Sequence, residues 1–193
     1  MITTEFGREP GSNVPIKPKK YAGTEHPVDP IKSLVDTYID NEQWTQGTNV
    51  LLRGDYGSHK TTTGLYVLRR IAMTGDERVQ TYWTEADYLA DLRELWSLRE
   101  QLPKGGNDSD LWQEFVAWES RFEALKASPL LFLDNVGFGY TANHRYEILL
   151  LVRQRVDLGL PTIVAVSTQE WEPMNGAMKS LLERSSLSIR VGG

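Results

Sequence analysis

The chain is predicted to fold as an α/β domain in which a parallel sheet is covered on both faces by helices, and three observations carry that expectation. Short runs of β-branched and aliphatic residues alternate with longer segments of helical periodicity from about Thr48 to Arg190, an order that calls for crossover helices and so for parallel strands. Two of the runs, Leu130-Leu-Phe-Leu-Asp134 and Thr162-Ile-Val-Ala-Val166, stay apolar without polar alternation, as strands buried on both faces do. A glycine-bearing turn, Gly54-Asp-Tyr-Gly57-Ser-His-Lys60-Thr61, joins the first run to a helical segment. Ligands of α/β sheets collect at that edge.

The elements follow in order. Residues 1–30 are rich in Pro, Gly and Lys with little apolar periodicity, so a flexible N-terminal arm is expected there and one domain over 31–193. In the arm, Lys17, Lys19 and Lys20 form a basic cluster, read either as a solvated tail or as a contact for a partner or DNA phosphate. Ile31 to about Gln43 carries apolar residues at Ile31, Leu34, Val35, Tyr38 and Ile39 behind Pro30, a helical spacing. A strand over about 48–53 leads into the glycine-bearing turn and a helix to about Met73. Val79-Gln-Thr-Tyr-Trp83 is the next strand, and Thr84-Glu-Ala-Asp87 has the form of a capping box opening a helix with Tyr88, Leu92, Leu95 and Trp96 on one face.

After a break at Pro103-Lys-Gly-Gly, Leu111, Phe115, Trp118, Phe122 and Leu125 form a second apolar stripe. With no Lys or Arg interleaved, these aromatics read as packing residues rather than a base-stacking platform. The strand ending at Asp134, a helix over about 142–159, a strand from Thr162 to Thr168 and a final strand complete the domain.

At 193 residues with 40% hydrophobic content the chain suits one domain with a sizeable core. Its net charge of −5 gives no global attraction to nucleic acid, so DNA binding would fall to local basic patches. The absence of cysteine removes disulfides and thiol catalysis, and His26, His59 and His144 are too far apart for a zinc motif. A polar N-terminus and the lack of any long apolar run lead to the expectation of a soluble, cytoplasmic protein with no membrane partner.

The turn carries the chemistry. The pattern G-x-x-x-x-G-K-[ST] lets successive backbone N–H groups face phosphate oxygens, with a Lys for the β/γ charge and a hydroxyl for Mg²⁺. Gly54, Lys60 and Thr61 fill three of its four fixed positions, and His59 stands at the fourth, where the pattern has glycine. The expected nucleotide-binding residues are therefore Gly54, Asp55, Tyr56, Gly57, Ser58, His59, Lys60, Thr61 and Thr62, with Arg53 and the helix N-terminus adding positive potential. Asp134, at the end of a buried strand, supplies the carboxylate that nucleotide hydrolases use to hold the metal. Together these residues read as a P-loop NTPase with ATP and Mg²⁺ as cofactors. The next residue, often a Glu that orients the attacking water, is Asn135, which cannot act as a base.

The order of these segments resembles the DnaC/IstB-type ATPases of the AAA+ class, a family of helicase loaders and transposition helper ATPases, over about residues 20–192. The resemblance rests on Lys20-Tyr21, on Tyr82-Trp-Thr-Glu-Ala-Asp87-Tyr-Leu, on Leu130-Leu-Phe-Leu-Asp134-Asn-Val-Gly137, on Gly159-Leu-Pro161-Thr-Ile-Val ahead of Ser167-Thr168-Gln169, and on Leu181-Leu-Glu-Arg184 before the last strand. It implies a RecA-like AAA+ core without a C-terminal helical lid. Gly54, Gly57, Lys60 and Thr61 would cradle phosphates and Mg²⁺, Asp134 would hold the metal through water, and Thr168 or Gln169 would sense the γ-phosphate. Arg184 matches the position from which the family inserts an arginine into the neighbouring subunit's site of a homo-oligomer; the alternative is an ordinary helix-end arginine.

The resemblance further implies a helicase loader in DNA replication, with a replicative helicase and single-stranded DNA as partners. His59 and Asn135 depart from the family and point to slow, switch-like nucleotide use. A transposition-type DNA-remodelling ATPase and a non-hydrolysing nucleotide-dependent adaptor stay open beside the loader. Arg145, Arg153 and Arg155 in one helix serve either DNA phosphates or a solvated face paired with Glu147.

Overall fold

The computed structural model describes residues 29–74, 80–102, 109–137 and 141–192. The predicted arm with Lys17, Lys19, Lys20, Tyr21 and His26, the Val79 start of the second strand and the Pro103 break lie outside them. Helix α1 (Asp29–Asp40) stops short of the expected end, because Glu42 turns to φ 50° and a 3₁₀ turn follows at Gln43–Gln46. The Tyr38 hydroxyl donates to the Thr48 carbonyl at 2.7 Å and ties α1 to the entry of β1 (Asn49–Gly54).

The chain continues through α2 (Lys60–Met73), β2 (Gln80–Thr84), α3 (Glu85–Gln101), α4 (Ser109–Lys126), β3 (Leu130–Val136), α5 (Ala142–Asp157), β4 (Thr162–Ser167), α6 (Thr168–Trp171), α7 (Gly176–Ser185) and β5 (Ser186–Arg190). The five strands form one parallel sheet in the order β2-β3-β4-β1-β5. Strand 1 therefore lies inside the sheet with β4 between it and β3, so the turn after β1 and the end of β3 flank one crevice at the carboxyl edge.

Successive residues of a strand face opposite sides, and β1 feeds both cores. Leu51 belongs to the core that includes Tyr88, Leu92, Ile148, Leu151, Met178 and Leu182 of α3, α5 and α7, whereas Val50 and Leu52 belong to the core shared with α1 and α2. Each such fully buried aliphatic side chain contributes about 1.5–3 kcal/mol relative to exposure. The β4 run 162–167 is buried at every position, as expected for a central parallel strand.

Thr84 caps α3 with a complete capping box, its hydroxyl accepting from the Asp87 N–H while the Asp87 carboxylate accepts from the Thr84 N–H. Two expectations for these helices change. Trp96 is 41% exposed rather than part of the α3 core face, which is made by Tyr88, Leu89 and Leu92. On α4 only Phe115 and Phe122 among the described stripe are buried, with Leu111 and Trp118 half-buried; nothing is described for the Leu125 side chain. Strand 4 also ends one residue early, so Thr168 begins α6 instead of closing the strand.

The arginines of α5 do not act as a group. Arg155 is 1% exposed and donates to the Thr162 hydroxyl at 2.9 Å and to the carbonyls of Lys126 and Pro161. It pins α5 to the strand entries at the sheet edge opposite the phosphate turn and reaches no solvent phosphate. Burial pulls its guanidinium down to about 9, which leaves it charged at neutral pH. Arg145 and Arg153 are exposed, and Arg153 approaches Asp157 at 3.9 Å. Among the described residues, no helix is long and apolar enough to cross a membrane.

Candidate functional site

The site is built from the turn between β1 and α2. Gly54 must be glycine, because a Cβ there would lie 2.0 Å from the Val191 carbonyl oxygen and 2.6 Å from the Ser58 hydroxyl. The segment after β5 thus crosses the base of the turn, and the Val191 N–H donates to the Arg53 carbonyl. Gly57 stands at φ 79° with open space around it, a left-handed position that glycine occupies without strain. Asp55, Tyr56 and Gly57 are exposed, and the Ser58 N–H closes the turn on the Asp55 carbonyl at 3.2 Å.

Lys60 folds its side chain back across the turn. Its ammonium donates to the carbonyls of Gly54 at 3.0 Å and Asp55 at 2.7 Å and to the Ser58 hydroxyl at 3.3 Å. Burial lowers its pKa, with Asp134 and then Asp55 opposing the shift. His59 sits at the N-cap of α2 with φ 67° and ψ 25°, exposed and without a side-chain capping bond. The first N–H groups of α2, at Lys60, Thr61 and Thr62, therefore have no side-chain cap from His59, and a helix start of this kind favours anions. The Arg53 guanidinium lies 4.7 Å over the Trp171 ring and donates to Ser188 at 3.2 Å, with the Glu183 carboxylate 3.9 Å away.

Asp134 converges on the same place from β3. It is 1% exposed, and its Oδ2 accepts from the Thr61 hydroxyl at 2.7 Å and from the Tyr82 hydroxyl at 3.1 Å. Its Oδ1 accepts from the Asn135 N–H at 2.9 Å. Burial raises the carboxyl above its usual range, against the pull of Thr61, the Asn135 N–H, Tyr82 and Lys60 in that order. Asn135 is exposed with φ 57°, a left-handed conformation that Asn tolerates better than most residues.

The remaining predicted residues divide. Thr168 is half-buried and Gln169 exposed at the start of α6, on the carboxyl edge of β4 between the phosphate turn and Asp134. Arg184 is exposed in the last turn of α7, just before the first residue of β5. Ser186 of β5 pairs with Asn49 at the start of β1, so α7 ends near the edge of the sheet where β1 begins.

Sequence reasoning missed Tyr82 and Glu170. The Glu170 carboxylate accepts from the Tyr56 hydroxyl at 3.2 Å, bridging the phosphate turn to α6. The Glu85 carboxylate, also unanticipated, accepts from the Gly137 N–H at 2.6 Å and steadies the exit of β3. These pairings join distant segments, and no spacing rule could have found them.

A glycine-bearing turn after β1, a buried carboxylate on β3 and the strand order β2-β3-β4-β1-β5 give this chain the fold of the AAA+ P-loop NTPases. The solved structures that this chain is similar to carry the same architecture. They include the DnaC helicase loader, with a TM-score of 0.67 at 15% identity over 90% of this chain and 99% of that one. Replication initiator DnaA bound to AMPPCP and single-stranded DNA gives 0.62 at 16% identity, over 88% of this chain and 48% of that chain. DnaI gives 0.56 at 14% identity, covering 88% of each chain. No protein-family model and no curated protein matches the sequence.

Proposed function

We propose that this protein binds ATP with Mg²⁺ and serves DNA replication as a helicase-loader-like AAA+ protein that hydrolyses ATP slowly. The observation that carries the reading is the convergence of Lys60, Thr61 and Asp134, drawn from the start of α2 and from β3, on one edge of the sheet. Hydroxyl and carboxylate oxygens form a hard donor set that suits Mg²⁺. Thr61 and Asp134 would hold the ion, which supplies charge neutralisation at the phosphates. Lys60 would exchange loop carbonyls for phosphate oxygens, and the uncapped N–H groups of α2 would face the same anion.

Slow turnover follows from Asn135, whose amide takes no proton from water. A replication role is supported by the likeness to the DnaC helicase loader and DnaI, and a replicative helicase and single-stranded DNA are the partners this reading assigns. Arg184 would act in a homo-oligomer, on the site of the neighbouring copy. His59 and Asn135 together favour a second reading, a nucleotide-dependent adaptor that binds without hydrolysing.

The test is ATP binding and phosphate release by the purified protein in Mg²⁺, with and without single-stranded DNA, alongside Lys60→Ala. Loss of charge-assisted hydrogen bonds of about 1.5–3 kcal/mol each predicts at least ~10-fold weaker binding in Lys60→Ala. Binding without release, in every condition, favours the adaptor. Absence of binding in the wild-type protein overturns both readings.

A further inference from the structure

Tyr82 and Phe132 are register partners on the neighbouring strands β2 and β3, so their side chains rise from the same face of the sheet. Asp134 follows two residues after Phe132 and emerges on that face as well. The Tyr82 ring meets Phe132 edge-on, with centroids 5.2 Å apart and planes at 61°. This contact fixes the ring and leaves the hydroxyl to reach diagonally to Asp134 Oδ2 at 3.1 Å. Thr61 descends on the same oxygen from α2 at 2.7 Å.

The consequence concerns how the carboxylate is held. Two hydroxyl donors occupy Oδ2, and the Asn135 N–H occupies one side of Oδ1. A carboxylate oxygen accepts in about two directions, so Oδ2 is filled and the open direction lies on Oδ1. The Thr61 hydrogen is committed to Asp134, which leaves the Thr61 oxygen lone pairs for a cation. We propose that Tyr82 is a positioning residue of the Mg²⁺ site, locking the rotation of Asp134 so that one oxygen orients Thr61 and the other is presented to the hydrated ion. The proposal rests on the ATP-Mg²⁺ reading above and adds to it a residue that touches neither ligand. Outer-shell partners of this kind change metal affinity by roughly 10–100-fold when removed.

Tyr82→Phe keeps the ring against Phe132 and deletes only the hydroxyl. The experiment measures affinity for a fluorescent ATP analogue in EDTA, then titrates Mg²⁺ at a fixed analogue concentration, for wild type and variant, with thermal melts of both. The expected result is unchanged affinity in EDTA and a Mg²⁺ midpoint raised ~10-fold, at the lower end of the outer-shell range. An unchanged midpoint overturns the proposal and makes Tyr82 a packing residue. An equal loss in EDTA and in Mg²⁺ also overturns it, because the hydroxyl would then support the turn rather than the metal. A wild-type protein that binds no analogue in either condition overturns the ATP reading and this proposal with it, whereas wild-type binding with a normal variant overturns only the role of Tyr82.

Discussion

Thr61 donates its hydroxyl to Asp134 Oδ2 at 2.7 Å, joining residues 73 positions apart in the chain. The bond closes the crevice between the first turn of α2 and the end of β3, two elements whose strands are separated by β4. A buried carboxylate is stabilised in its charged form by such a donor, yet burial still dominates, and the Asp134 pKa lies above its ordinary value. The turn after β1 and the carboxylate at the end of β3 are thus coupled directly.

Replacing Asp134 with Asn should stabilise the empty fold and abolish Mg²⁺-dependent nucleotide binding. With a raised folded pKa, the folded chain binds more protons than the unfolded chain from the ordinary carboxylate range up to the raised value. Stability therefore falls as pH rises through that window, and the charge is a standing cost at neutral pH. Removing it should lift Tm, at about 2–4 °C per kcal/mol for a chain of this size, and should flatten the pH dependence between acid and neutral conditions. Melts from pH 4 to 7 check this; a lower Tm in Asp134→Asn at neutral pH would refute it.

His59 holds φ 67° at the place where the phosphate-loop pattern has glycine. A left-handed non-glycine residue costs about 1–2 kcal/mol, and a new glycine returns roughly 0.4–1 kcal/mol to the unfolded chain as entropy. His59→Gly should consequently leave stability within about 1 kcal/mol of wild type while letting the backbone approach phosphate more closely, and nucleotide affinity should rise several-fold. Titration with a fluorescent ATP analogue decides the point. Weaker binding in the variant would mean that the imidazole itself donates to phosphate.

The elements of this fold were legible because their signals are local. The capping box at Thr84 and Asp87, the unbroken apolar runs of β3 and β4, and the glycine-bearing turn each announce themselves within a few residues. The candidate site was legible to the extent that its chemistry lies in one motif and one strand end. Arg155 was misread because its helix periodicity resembles that of a solvated face; only the closeness of Thr162, Pro161 and Lys126 in space explains its burial. Tyr82 and Glu170 were missed for the same reason, since each meets its partner across the sheet edge and not along the chain.

Arg155 supplies a prediction that separates structure from DNA contact. Arg155→Ala removes the bonds to the Thr162 hydroxyl and to the Lys126 and Pro161 carbonyls and leaves a buried cavity, so about 3 kcal/mol or more of stability should be lost. Arg153, exposed beside Asp157, should tolerate Ala within about 0.5 kcal/mol. Denaturant melts of the two variants check the contrast. Equal stabilities would contradict the role assigned to Arg155.

Under the proposed function, Asn135 limits turnover. The residue is exposed at φ 57°, immediately after Asp134, with its N–H spent on Asp134 Oδ1. A Glu in its place supplies a carboxylate able to orient or deprotonate water, a contribution of about 10²–10⁴-fold where geometry is good. It also accepts a left-handed conformation that costs about 1 kcal/mol more for Glu than for Asn, and the compromise in placement should hold the gain near ~10-fold, below that range. Asn135→Glu is therefore expected to raise ATP turnover with nucleotide affinity unchanged and Tm lowered by a few degrees, about 2–4 °C per kcal/mol. Phosphate release at saturating ATP, paired with a melt, measures both. Turnover that stays at the wild-type level in a folded, ATP-binding Asn135→Glu would mean that the missing carboxylate does not limit hydrolysis.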